Sequence, residues 1–150
     1  MTPIAARFRE ARCHAGLSVA AVAVECGISD VCVWDLESYD DELMTAYTAA
    51  DLQCFARVLA TTPSALLGVE PCDDPISVDD LAAAITTHCE RHGTTLDDFS
   101  QAVGWDLTAG MNMSESLRAS ISLDGLAAIG GELGIEWRRL VNGLSTQLSL

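Results

Sequence analysis

Lysine is absent from these 150 residues, and eight arginines face 22 carboxylates, for a formal net charge of 8 − 22 = −14. Neither half escapes the imbalance. Up to Cys72 four arginines stand against ten acids, and from Asp73 onward four stand against twelve. Proteins that hold nucleic acid without sequence preference neutralise phosphates with Lys and Arg, so a chain this acidic is repelled from them at long range.

Long apolar runs are absent as well. None approaches the roughly 20 residues that span a bilayer, and the start, MTPIAARFREAR, lacks the charged opening and apolar stretch of a signal peptide. The chain reads as cytoplasmic, with no membrane partner. The six cysteines (13, 26, 32, 54, 72 and 89) show no CxxC spacing and read as reduced core thiols. No GxSxG, phosphate-binding glycine loop or nucleophile–base arrangement is present, which points away from an enzyme and from a cofactor. His88 and His92 lie one helical turn apart, a spacing that can hold a metal, but the glutamate between them is misplaced for HExxH and no third ligand presents itself. No metal is assigned.

What is present centres on Gly16 to Glu37, GLSVAAVAVECGISDVCVWDLE. Ser18 suits an N-cap, Val22, Ala23 and Cys26 fall on one helical face, and Gly27 permits the left-handed turn that ends the helix. Ser29 can cap a second helix whose Val33 and Leu36 point inward. A preceding helix over about Pro3 to Ala15 presents Ile4 and Phe8 inward. The order Gly-Leu-Ser, Ala, Gly-Ile-Ser, Val, Leu, Glu resembles the helix-turn-helix of the lambda-repressor-like (Cro/cI-type, XRE) family. That resemblance implies an ion pair between Arg12 and Glu37 and a five-helix domain completed by Leu52, Phe55, Ala56, Leu59, Pro63, Leu66 and Leu67. The loop after Glu37 departs from the pattern: where the family has glycine and often proline, it reads Ser-Tyr-Asp-Asp-Glu-Leu, with Asp40, Asp41 and Glu42 in a row.

The second half repeats the first with few identities. Gly93 and Gly104 match Gly16 and Gly27 at an offset of 77, since 93 − 16 = 104 − 27 = 77; farther on the offset becomes 133 − 59 = 74, placing Leu126, Ile129, Leu133, Leu140 and Val141 on Leu52, Phe55, Leu59, Leu66 and Leu67. Ser77-x-x-Asp80 and Thr95-x-x-Asp98 have the form of capping boxes. Arg12 aligns with Cys89 and Glu37 with Ser114, so both members of the ion pair are lost together, which can be nearly neutral. The region Asp106–Leu117 contains Gly110, at a cost of roughly 1 kcal/mol inside a helix, and reads as partly irregular. Met111 and Met113 read as core fillers, with an adaptable contact surface as the alternative.

The expected fold is therefore all-α: a helix-turn-helix domain at 1–68, a linker at 69–77 with two prolines and two aspartates, and a divergent second copy at 78–150. The halves are expected either to pack as an internal pseudo-dimer or to form homodimers. Family members contact DNA from the start of the second helix and the outer face of the third, which here implies Ser18, Ser29, Asp30, Val31, Cys32 and Asp35. Yet Val19 and Leu96 stand where a glutamine is common, and two aspartates on the reading face repel phosphates. The set Asp30, Val31, Trp34, Asp35, Asp40, Asp41 and Glu42 instead suits a basic protein partner, as in an inhibitor or antitoxin-like immunity protein. Trp34 reads equally well as partly buried against a following helix. The alternative function is a sequence-specific transcriptional regulator.

Overall fold

The computed structural model describes residues 2–108 and 111–146, and its described residues form eleven helices and no strand. They are α1 (Ile4–His14), α2 (Val19–Cys26), α3 (Asp30–Ser38), α4 (Glu42–Ala46), α5 (Ala49–Val58), α6 (Pro63–Leu67), α7 (Val78–His92), α8 (Leu96–Val103), α9 (Met113–Ala119), α10 (Leu123–Glu132) and α11 (Trp137–Thr146). The chain is all-helical across these residues. None of the helices is long and apolar enough to cross a membrane.

Local chemistry explains most boundaries. Ser18, Ser29, Thr48, Thr62, Ser77, Thr95, Asn112 and Ser122 each cap a helix by accepting from a backbone N–H three residues on. Thr48–Asp51, Ser77–Asp80 and Thr95–Asp98 form reciprocal capping boxes, the first of them unanticipated. Helix α1 begins at Pro3 with no local cap; its Ala5 N–H is instead satisfied by Asp40 Oδ1 at 3.2 Å, across 35 residues.

One hydrophobic cluster runs through both halves, from Phe8, Val22, Val33 and Leu36 through Leu52 and Phe55 to Leu81, Ile85, Leu126, Ile129 and Val141. Phe55 is its hub, meeting Phe8 and Tyr47 edge-on at ring separations of 5.5 and 5.1 Å. Helices α5 and α10 coincide at both ends under the 74-residue offset (123 − 49 = 132 − 58 = 74), and α6 and α11 share it at their starts (137 − 63 = 74). Their packing is reciprocal. Helix α4 lies on α10 while α9 lies on α5, and α6 packs against α11.

The structure corrects several expectations. An additional short helix, α4, forms where the loop lacks glycine and proline, because Leu43 there is buried and Thr45 Oγ1 donates to the Asp41 carbonyl. The first half thus carries six helices up to Gly68 instead of five. Met111 is 90% exposed and fills no gap, whereas Met113 does pack on the core. Of the six thiols only Cys89 is buried; Cys13 is exposed and the other four are half-buried. Gly130 permits the close approach of Leu140 and Ile135, as small residues there should, but Gly131 faces open space.

Segment 69–77 is anchored along α11. Ile76 N–H donates to the Arg139 carbonyl at 3.1 Å, Arg139 Nε donates to the Asp74 carbonyl at 2.9 Å, and Asn142 Nδ2 donates to the Glu70 carbonyl at 2.8 Å. The absence of a side chain at Gly143 leaves room for the Ile76 carbonyl.

Candidate protein-binding surface

The candidate surface is the outer side of α3. Gly27 adopts φ 68° at the end of α2, and Ser29 opens α3 by accepting from Cys32 N–H. Val33 and Leu36, three residues apart, are 0% and 1% exposed and anchor the inner side. Helical geometry then turns Asp30, Val31 and Trp34 outward. Val31 is 65% and Trp34 59% exposed, so Trp34 is not buried by a following helix.

Arg12 fixes α3 against α1. Its Nε and Nη2 donate to Glu37 Oε2 and Oε1, both at 2.9 Å, while Nη1 donates to the Leu17 carbonyl at 2.9 Å. This bidentate pair is largely removed from water, and the hydrogen bond to Glu37 raises the Arg12 guanidinium above its ordinary range. The expected ion pair is therefore present in the structure. A cleft of about 170 Å³ opens between α1 and α3, walled by Arg9, Arg12, Trp34, Glu37 and Ser38.

Acids surround the apolar residues. Among the described residues, Asp30, Asp35, Asp40, Asp41 and Glu42 enter no ion pair. Their geometry differs, however. Asp40 holds the start of α1, Asp41 and Glu42 begin α4, and Asp35 is half-buried on the flank of α3. Of these five, Asp30 and Asp41 are exposed and enter no side-chain hydrogen bond among the described residues.

Cys32 is half-buried and has a local role. Ser29 Oγ donates to its Sγ at 3.3 Å, and that bond holds the thiol below its usual range. Ser18 and Ser29 spend their side-chain oxygens on Ala21 and Cys32 N–H, at 3.0 and 3.3 Å. These are capping positions first.

The first-half arginines border different clefts in part. Arg9 and Arg12 share the α3 cleft beside Trp34, with Arg12 committed to Glu37, whereas Arg7 borders a cleft between α1 and α6 with Glu10 and His14, and Arg57 Nη2 reaches Cys54 Sγ. In the second half, the position corresponding to Asp30 at the 77-residue offset is Leu107, which is buried, and its N–H donates to Ser100 Oγ at 3.3 Å. Asp106 Oδ1 then accepts from Thr108 N–H at 2.9 Å, which turns the chain instead of starting a helix there. Helix α9 begins only at Met113; Gly110 itself lies outside the described residues. The second half therefore offers no exposed counterpart of α3 between Asp106 and Asn112 among its described residues.

The His88 and His92 rings lie 4.4 Å apart, and the described residues contain no cluster of three or more side chains able to hold a metal ion. No protein-family model matches the chain, and no curated protein or solved structure matches it significantly.

Proposed function

We propose that the chain is a non-catalytic acidic regulator or inhibitor that works by binding another protein, in the manner of an antitoxin or immunity protein. Its scaffold, on this reading, is two divergent lambda-repressor-like helix-turn-helix domains, 1–68 and 78–150, joined at 69–77 and packed as an internal pseudo-dimer. The observation that carries the proposal is the outer side of α3, where Val31 and Trp34 stand exposed among carboxylates that have no ion-pair partner among the described residues. An exposed tryptophan is the residue type that most often anchors a protein interface, and an acidic rim steers a cationic surface toward it. The partner is a basic protein, its Lys and Arg side chains meeting Asp30, Asp35, Asp41 and Glu42.

The net charge of −14 supports the same reading, because phosphate binding needs an excess of cations on the contacting face. The alternative, a sequence-specific DNA-binding regulator, is favoured by one observation. The α2–turn–α3 unit keeps both serine caps and an uncovered α3.

A photo-crosslinking residue placed at position 34 in the native host tests the proposal. One defined basic protein is expected, its capture competed by unlabelled wild type and suppressed by salt added before irradiation. Capture of DNA at that position would overturn it.

A further inference from the structure

Two of the six free thiols approach each other between α2 and α5 in the first half. Cys26 ends α2 and Cys54 lies in α5; both are half-buried, α2 packs on α5, and the two side chains are within hydrogen-bonding reach of each other. Arg57, one turn along α5, donates through Nη2 to Cys54 Sγ at 3.7 Å. The α3 surface uses none of these groups. They nevertheless bring two thiols within reach of each other, with a guanidinium beside one of them.

The geometry points to Cys26 and Cys54 as a thiol–disulfide exchange site that takes low-molecular-weight disulfides and closes into a reversible intramolecular disulfide. Burial raises the Cys26 thiol, and the Arg57 guanidinium stands beside Cys54 instead, which makes Cys54 the first nucleophile. Cys54 attacks. Its thiolate displaces one half of an oxidised disulfide RSSR, forming Cys54–S–SR and releasing RS⁻. Cys26 then gives up its proton and attacks Cys54 Sγ, forming the Cys26–Cys54 bond and releasing the second RS⁻. Two protein thiols are oxidised by two electrons, one RSSR is reduced to two RSH, and both thiol protons end on the released thiolates.

The bond would set the two sulfurs about 2.05 Å apart and tie the end of α2 to the core helix α5. Cys26 immediately precedes Gly27, the turn from which α3 departs. Oxidation therefore clamps the α2–turn–α3 unit whatever partner α3 takes.

The test treats the folded chain with oxidised glutathione near pH 8 and follows it by mass spectrometry. The intact mass is expected to fall by about 2 Da as two hydrogens leave. Digestion after Arg and Glu separates Cys26 from Cys54, and the two peptides should be joined. Cys32 shares a peptide with Cys26, so Cys32→Ser should keep the link, while Cys26→Ala should lose it and leave glutathione on Cys54. Arg57→Gln should slow the reaction on the order of tenfold with the helical signal unchanged. Closure should raise Tm by roughly 5–10 °C. A wild type that carries stable glutathione on Cys54, leaves Cys54 unreacted, or links through Cys32 would overturn the proposal.

Discussion

Thr48 and Ser122 face each other across an antiparallel bridge, closed by Leu123 N–H donating to the Tyr47 carbonyl at 2.9 Å. They are counterparts, since 122 − 48 = 74, and each caps its own helix, α5 and α10. Positions 74 residues apart thus meet directly at the bridge. The reciprocal packing of α4 on α10 and α9 on α5 obeys the same relation.

This arrangement predicts that neither half stands alone. A fragment of residues 1–77 would expose the faces of α5 and α6 that α9 and α11 cover. It should aggregate, associate or lose its cooperative melt, while the intact chain sediments as a monomer. A monomeric, cooperatively melting fragment would contradict the shared core.

The Arg12–Glu37 pair gives an asymmetric prediction. Arg12→Ala strands a carboxylate that is only 5% exposed and should cost about 3 kcal/mol in urea unfolding. Replacing both, Arg12→Met with Glu37→Leu, should recover most of that loss.

Glycines separate close packing from mere helix content. Gly143→Ala drives a methyl into the Ile76 carbonyl and should destabilise by about 2 kcal/mol or more. Gly131→Ala meets open space within α10 and should stabilise by up to about 1 kcal/mol.

Two raised groups set an alkaline limit. Cys26, ordinarily near 9.0, is pushed up to about 12 by burial, and burial also pushes the Tyr47 hydroxyl up from 10.0. The unfolded chain then loses these protons first, so their contribution is complete below pH 9 and declines as pH rises toward 12 and beyond. Chemical-denaturation curves should show stability falling above about pH 9, with a shallower fall in Cys26→Ala and Tyr47→Phe.

The sequence disclosed what depends on near neighbours. Caps at Ser18, Ser29, Ser77 and Thr95 and inward Val33 and Leu36 all follow from spacing within one or two turns, and the 74-residue offset located α10 and the start of α11. Contacts between distant segments were not legible. Nothing local marks Asp40 as the cap of α1, or the tie between Ile76 and Arg139. Met111 was misplaced because an apolar residue says nothing of its direction where the helical period fails, and α4 because a missing glycine signals only that the expected turn is absent. In the candidate surface, the outward set Asp30, Val31 and Trp34 was readable from helical phase, whereas the structural duty of Asp40 was not.

The most direct measurement is fluorescence anisotropy of labelled random-sequence duplex DNA titrated with the chain at low salt, where phosphate-driven binding is strongest. With a net charge of −14, the chain should leave the anisotropy unchanged, and Trp34→Ala should melt like wild type while losing the basic protein partner. Tight binding that weakens steeply with added salt would contradict a protein-directed surface and return α3 to the reading of DNA.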